Sequence, residues 1–251
     1  MPTYRDKGIV LRARPLREDD RHYIVFTEGH GKVSLLAKGM RKIRSKMSPH
    51  MAAFGVVDLM VARGKRMDRL AGASLMNASR GVMDSLEKTA LVQSFMLAVD
   101  ALTKYELSEF RIFALLSEFM EVIEKSGSTE KDYRNMVFDT AMVKLLDILG
   151  LGLEVDVCVS CRQPFGPDGN GLDTMKGGVE CAGCRTDYSH PIGGGTVKTL
   201  RFMRSEPLRY SLMLRMDETT RRQVAYIVEV LLTSHLEARF DPLRYMNSVR
   251  V

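Results

Sequence analysis

The chain has 251 residues, 45% apolar and 27% charged, with 37 Lys and Arg against 31 Asp and Glu. That is enough apolar material for a core, which excludes a disordered chain, and no run of roughly eighteen apolar residues is present to span a bilayer. The stretch MPTYRDKGIV lacks the charged-then-apolar profile of a secretory leader, so a cytoplasmic chain is expected.

The positive excess is local. Residues 1–80 hold 17 basic and 7 acidic groups, residues 81–156 hold 7 and 14, and residues 157–251 hold 13 and 10. A basic N-terminal third points to a polyanion, nucleic acid or an anionic membrane, met by one segment of a larger body.

Residues 1–80 show strand patterning at about Tyr4–Arg14, Arg21–Glu28, Gly31–Gly39, Ala53–Arg63 and Asp68–Asn77. Glu28-Gly29-His30-Gly31 and Gly64-Lys65-Arg66 are hairpin turns by composition. Five short strands cannot bury both faces of a flat sheet, so closure is expected, as a five-stranded OB-type β-barrel or, in competition, an SH3-like one. The connection between the third and fourth strands contains KGMRKIRSKMSPH, with Lys38, Arg41, Lys42, Arg44 and Lys46 and no carboxylate. Arg63, Lys65, Arg66 and Arg69 follow on the next hairpin. Such loops are where OB folds take up single strands, and these cations are the candidate phosphate contacts. Tyr4, Tyr23, Phe26 and Phe54 are the barrel aromatics, too few for extensive base stacking once some enter the core.

From Asp84 the period becomes helical. Asp84 and Glu87 fit a capping box opening one helix. A second carries Phe110, Phe113, Leu115 or Leu116, Phe119, Met120 and Ile123 as an apolar stripe, with Gly127 as its stop. A third runs from Thr129 to Gly150. Beyond it, Cys158-x2-Cys161-x19-Cys181-x2-Cys184 uses every cysteine of the chain. Two such turns complete a tetrahedral thiolate shell with no open position, so one structural Zn(II) per chain is expected. Two disulfides or an iron cluster are the other chemistries open to four thiols, the first disfavoured without a secretory signal. After a Gly193-Gly194-Gly195 exit, helical patterning returns, with Asp217 as a cap.

The fold class expected is therefore α+β, a barrel followed by an α-helical domain with an inserted four-cysteine zinc module. The divisions are 1–80, 81–156, 157–195 and 196–251, the last segment completing the helical domain. No phosphate-loop or H-E-x-x-H motif is present, and no cysteine is left over as a nucleophile, so no enzyme is indicated. Asp19-Asp20 reads as a loop solubiliser.

The stretches VFTEGHGKVSLLAKGMRK, LGLGLEVDVCVSC, TLRFMRSEPL and HLEARFDPLRYMNSV, with this order of parts, resemble the bacterial recombination mediator family RecO over essentially the whole chain. The resemblance implies a non-enzymatic role in DNA repair, nucleoid-associated in a bacterium. It implies binding of ss and dsDNA, annealing of strands coated by single-stranded-DNA-binding protein (SSB), and loading of RecA together with RecR. It also implies that the helical domain receives the acidic, apolar-ended SSB tail. Arg111 and Arg134 are the cations expected to hold its terminal carboxylate, with Arg221 and Arg222 behind them. The other reading is a zinc-ribbon RNA-binding or transcription- or ribosome-associated adaptor; a hydrolase is a third.

Overall fold

The computed structural model describes residues 2–42, 44–52, 54–126 and 131–236. They fall into two compact units, divided between residues 126 and 131.

The first unit contains a closed five-stranded barrel: β1 (Thr3–Pro15), β2 (Arg21–Thr27), β3 (Gly31–Ala37), β4 (Gly55–Ala62) and β5 (Asp68–Ala78), ordered β1-β2-β3-β5-β4. All neighbours are antiparallel except β3 and β5, which pair in parallel at Leu35–Asp68 and Leu36–Arg69. Alternation explains the filling. Tyr23, Val25, Val33, Leu35, Val57, Leu59 and Val61 form one interior cluster. Gly8 belongs to the same interior: a Cβ there would lie 2.6 Å from side-chain carbons of Leu59 and Val25. Ile9, Leu11, Ile24 and Phe26 occupy the opposite parity yet are equally buried, because helices cover that side of β1.

Those helices are α3 (Leu86–Leu102) and α4 (Phe110–Lys125), preceded by two short ones, α1 (Ser48–Ala52) and α2 (Arg80–Met83). Ser85, not Asp84, is the N-cap of α3, its Oγ accepting from the Lys88 N–H; Asp84 instead ends α2. Phe95 of α3 meets Phe119 of α4 at 4.4 Å between ring centroids. The stripe expected on α4 is buried except for Phe110, which is 59% exposed in the first turn. Gly127 and Thr129 lie outside the described residues.

Two tethers close this unit. Gly31 adopts φ +67°, and any Cβ there would strike the Leu107 carbonyl at 2.0 Å, so the α3–α4 connection can lie against the β2–β3 turn. Lys32, buried, donates to the Asp100 carbonyl at 2.5 Å and lies 3.3 Å from its Oδ1, while Arg12 reaches Asp100 Oδ2 at 2.8 Å. Burying a lone ammonium would cost several kcal/mol, so these contacts are needed for the fold.

The second unit begins with α5 (Lys131–Ile148), which ends with Gly150 at φ +72° and Leu151 N–H on the Leu146 carbonyl at 2.8 Å. A small sheet follows, β6 (Asn170–Asp173), β7 (Gly178–Glu180) and β8 (His190–Ile192), ordered β7-β6-β8. Then come α6 (Gly194–Ser205), a 3-10 turn over Leu208–Met213, and α7 (Glu218–His235), all three packed on α5. The glycine run thus opens a helix rather than only leaving the sheet, and Asp217 caps α7 as expected. Among the described residues no helix is long and apolar enough to cross a membrane.

Candidate metal centre and nucleic-acid interface

The four cysteines meet in the second unit. Each C-x2-C segment is a tight turn: Arg162 N–H returns to the Cys158 carbonyl at 2.9 Å, and Cys184 and Arg185 N–H both return to the Cys181 carbonyl at 3.0 Å. Arg162 takes φ +61°, the left-handed position that ends such a turn. The Sγ atoms of Cys158, Cys161, Cys181 and Cys184 lie within 4.8 Å of one another, with 3.7 Å between Cys161 and Cys181. A tetrahedron of ~2.3 Å metal–sulfur bonds has edges of about 3.8 Å, so this donor set can hold one metal ion and is compatible with zinc.

Thiol acidity agrees. Burial raises the Cys158 pKa, but backbone amides of Cys161, Cys181 and Ser160 directed at its sulfur outweigh this and hold it at about 6. Cys184, hydrogen-bonded to Cys161 and Cys181, is pushed up to about 12. Four sulfurs so close cannot all ionise without a cation among them.

Sequence reasoning missed the residue that joins the two turns. Glu180, fully buried beside Cys181, accepts from Ser160 Oγ at 2.7 Å and Lys176 Nζ at 2.6 Å through Oε1, and from Ser189 Oγ at 2.5 Å through Oε2. Ser160 lies inside the first turn, and Ser189 accepts from the Thr186 N–H just after the second. The Lys176, Ser160 and Ser189 donors hold the carboxyl at about 2. The only signal in the chain was an acid preceding a cysteine.

In the first unit, Lys38, Arg41, Lys42, Arg44 and Lys46 are all exposed. Asp19 and Asp20 anchor their loop rather than merely solubilising one. Gly39 N–H donates to Asp20 Oδ1 at 2.9 Å, Arg41 N–H to the Asp19 carbonyl at 3.0 Å, and Lys42 Nζ sits 3.4 Å from Asp19 Oδ2. Among the described residues, Lys38, Arg41, Arg44 and Lys46 have no acidic partner. Arg63 lies over the Tyr4 ring at 4.8 Å and 3.6 Å from Asp68, whereas Lys65 and Arg66 are exposed and unpaired among the described residues. Because β3 and β5 run parallel, the loop leaving β3 and the turn entering β5 depart from opposite ends of that pair, so the structure does not gather the eight cations at one rim. Tyr23 and Phe26 are core; Tyr4 and Phe54 are half-buried.

Arg111 is exposed and its guanidinium grips Glu109, at 2.9 and 2.7 Å, which holds that carboxyl at about 2. Arg221 and Arg222 both pair with Glu218. The Arg134 side chain lies outside the described residues.

Comparison with known proteins agrees with this arrangement. Residues 1–79 match the family described as "Recombination protein O N terminal", and residues 83–243 match "Recombination protein O C terminal". The "DNA repair protein RecO" of Rubrobacter xylanophilus is 30% identical over 89% of this chain and 90% of its own. That of Frankia casuarinae is 28% identical over 98% and 99%, and that of Desulforudis audaxviator 26% over 100% and 99%. These matches support a role in DNA repair and recombination, and the chain belongs to the RecO family.

Proposed function

We propose that the chain is a non-enzymatic DNA-binding recombination mediator of the bacterial cytoplasm. Its barrel is of the OB type, an assignment supported by the closed five-strand order with one parallel pair. The observation that carries the reading is the row Lys38, Arg41, Arg44 and Lys46, exposed on a loop tethered by Asp19 and Asp20 and left without acidic partners among the described residues. Held like charge lowers its free energy by meeting phosphates, and contacts to phosphate are blind to sequence. An annealer that must act on any strand needs that blindness. Lys42 adds to the same loop after exchanging Asp19 for phosphate, and Arg63, Lys65 and Arg66, on the turn at the opposite end of the β3–β5 pair, are proposed as separate phosphate contacts.

Residues 1–80 form the proposed DNA-binding domain, packed with α3 and α4 in the first unit; in the second, α5 precedes the 157–195 module and α6 and α7 follow it. Zn(II) is the proposed occupant of the Cys158, Cys161, Cys181 and Cys184 shell, closed and therefore structural. The chain acts on SSB-coated DNA, with RecR, to seat RecA. Arg111, once released from Glu109, and Arg134 are proposed to hold the SSB tail carboxylate. The test is annealing of two complementary oligonucleotides with and without SSB. Acceleration that survives SSB coating supports the mediator; binding without acceleration, or a preference for structured RNA, supports the adaptor reading instead.

A further inference from the structure

A groove in the first unit opens beside the basic loop, and its lining is unlike that of an ordinary surface dent. Its floor includes Met51 and Met96, both buried; Leu97, Phe54 and Gln93 are half-buried along it; and Arg12 and Arg21 line its polar side. It measures about 1050 Å³ counted out to its open mouth, ample for a planar ring with a phosphate attached.

Its electrostatics are unbalanced. Asp100 is the carboxylate next to Arg12, and the same group also serves buried Lys32. Among the described residues, Arg21 has no acidic partner and the buried Nε of Arg12 has no hydrogen-bond acceptor. The Gln93 carboxamide, able to donate and accept, makes no hydrogen bond among the described residues. Two cations, a partly exposed aromatic ring and an unused amide suit one chemistry: a flat heteroaromatic ring with a polar edge and an anionic tether.

Continuity with the basic loop selects the source. Arg12 and Arg21 stand on the two strands of the β1–β2 hairpin, whose connecting loop is the one that Asp19 and Asp20 tie to Gly39, Arg41 and Lys42. Met51 belongs to α1, into which the basic loop runs, and Phe54 lies just after it. A strand tracked by the loop therefore passes the groove mouth. We propose that the groove is a base-binding subsite, in which one unstacked nucleobase of single-stranded DNA lies against Phe54, its edge on Gln93 and its phosphate on Arg21; this rests on the DNA-binding reading above. It supplies the stacking that the scarcity of barrel aromatics withholds elsewhere.

The test uses the full chain, an oligo-dT strand, and a strand of equal length in which the bases are replaced by abasic sites. Phe54→Leu, which keeps an apolar wall but no ring, should weaken oligo-dT binding about 5- to 100-fold and Gln93→Ala about 2- to 10-fold, each with the salt dependence unchanged. Neither should alter binding of the abasic strand. In oligo-dT carrying 5-iodouracil, photocrosslinks should map to Met51, Phe54 or Met96. Equal losses on both strands, no loss on either, or crosslinks confined to residues 38–46 would overturn the proposal. If the wild-type chain binds neither strand, the DNA-binding reading fails first, a result distinct from failure of the groove alone.

Discussion

Salt dependence offers the sharpest test of the basic loop, because the structure fixes how many of its cations are free. Of the five, Lys42 is within 3.4 Å of Asp19, and the other four have no acidic partner among the described residues. Each phosphate neutralised on a single strand contributes about −0.7 to the slope of log K against log salt, so four free cations give about −2.8 from this loop. Between 50 and 200 mM salt that slope weakens binding about 50-fold. Replacing Lys38, Arg44 and Lys46 together by Ala should flatten the slope by about 2 and weaken all sequences alike. Asp19→Asn should do the opposite: it leaves the backbone tether to Arg41 in place, frees Lys42 and steepens the slope by about 0.7. Anisotropy of a labelled oligo-dT measured from 50 to 300 mM salt reads both changes. A triple variant with the wild-type slope would refute the reasoning and return the loop to the status of a solvated surface.

The protein as isolated without chelators should carry about one zinc per chain, by metal analysis. Cys158→Ser should abolish amide protection across residues 157–192 while the β1–β5 amides keep theirs, because the two lie in separate compact units. Glu180→Gln should speed zinc loss to a chelator about 10- to 100-fold, as expected when a group that orients ligands is altered. With the Glu180 pKa at about 2, its hold on Ser160 and Ser189 is complete above the usual carboxylate range and is lost as pH falls through about 2. Any metal release that sets in above that pH in the wild type must therefore come from thiolate protonation and should persist in Glu180→Gln. Asp100→Ala leaves Lys32 and Arg12 without their carboxylate and should cost about 3–5 kcal/mol in urea denaturation, whereas Asp100→Ala combined with Lys32→Met should recover much of that loss.

What could be read from the chain was what repeats or clusters locally. The five strands were visible because alternation is a property of neighbours, and their ends shift by only a few residues between expectation and structure. The cysteine shell was visible because its spacing alone implies the turn geometry. The errors arose where a local pattern had two readings. Asp84 and Glu87 fit a capping box, but α2 ends on Asp84 and leaves Ser85 to cap α3. Phe110 continues the stripe by spacing, yet a first-turn residue can project past the packed face, and it does. Glu180, twenty residues from Ser160, and Lys32, sixty-eight from Asp100, were invisible for a different reason: the contacts exist only once sheet register and helix docking are set.

The contrast between those buried groups and the surface cations bears on where function resides. Glu180 accepts three hydrogen bonds, and Lys32 is met by both the carbonyl and the carboxylate of Asp100. In each case the fold completes the charge's requirements itself, since an unpaired charge in low dielectric would unfold the unit. Lys38, Arg41, Arg44, Lys46, Lys65, Arg66 and Arg21 are treated otherwise. Water tolerates them singly at little cost, but their clustering on two connections and a groove wall adds repulsion that no carboxylate among the described residues relieves. Asp19 and Asp20 were available to neutralise the loop and serve mainly to place it, one through a carbonyl and the other through a bond to a backbone amide. A chain that completes its interior charges while holding a positive loop in position fits an anion that arrives from outside and leaves again.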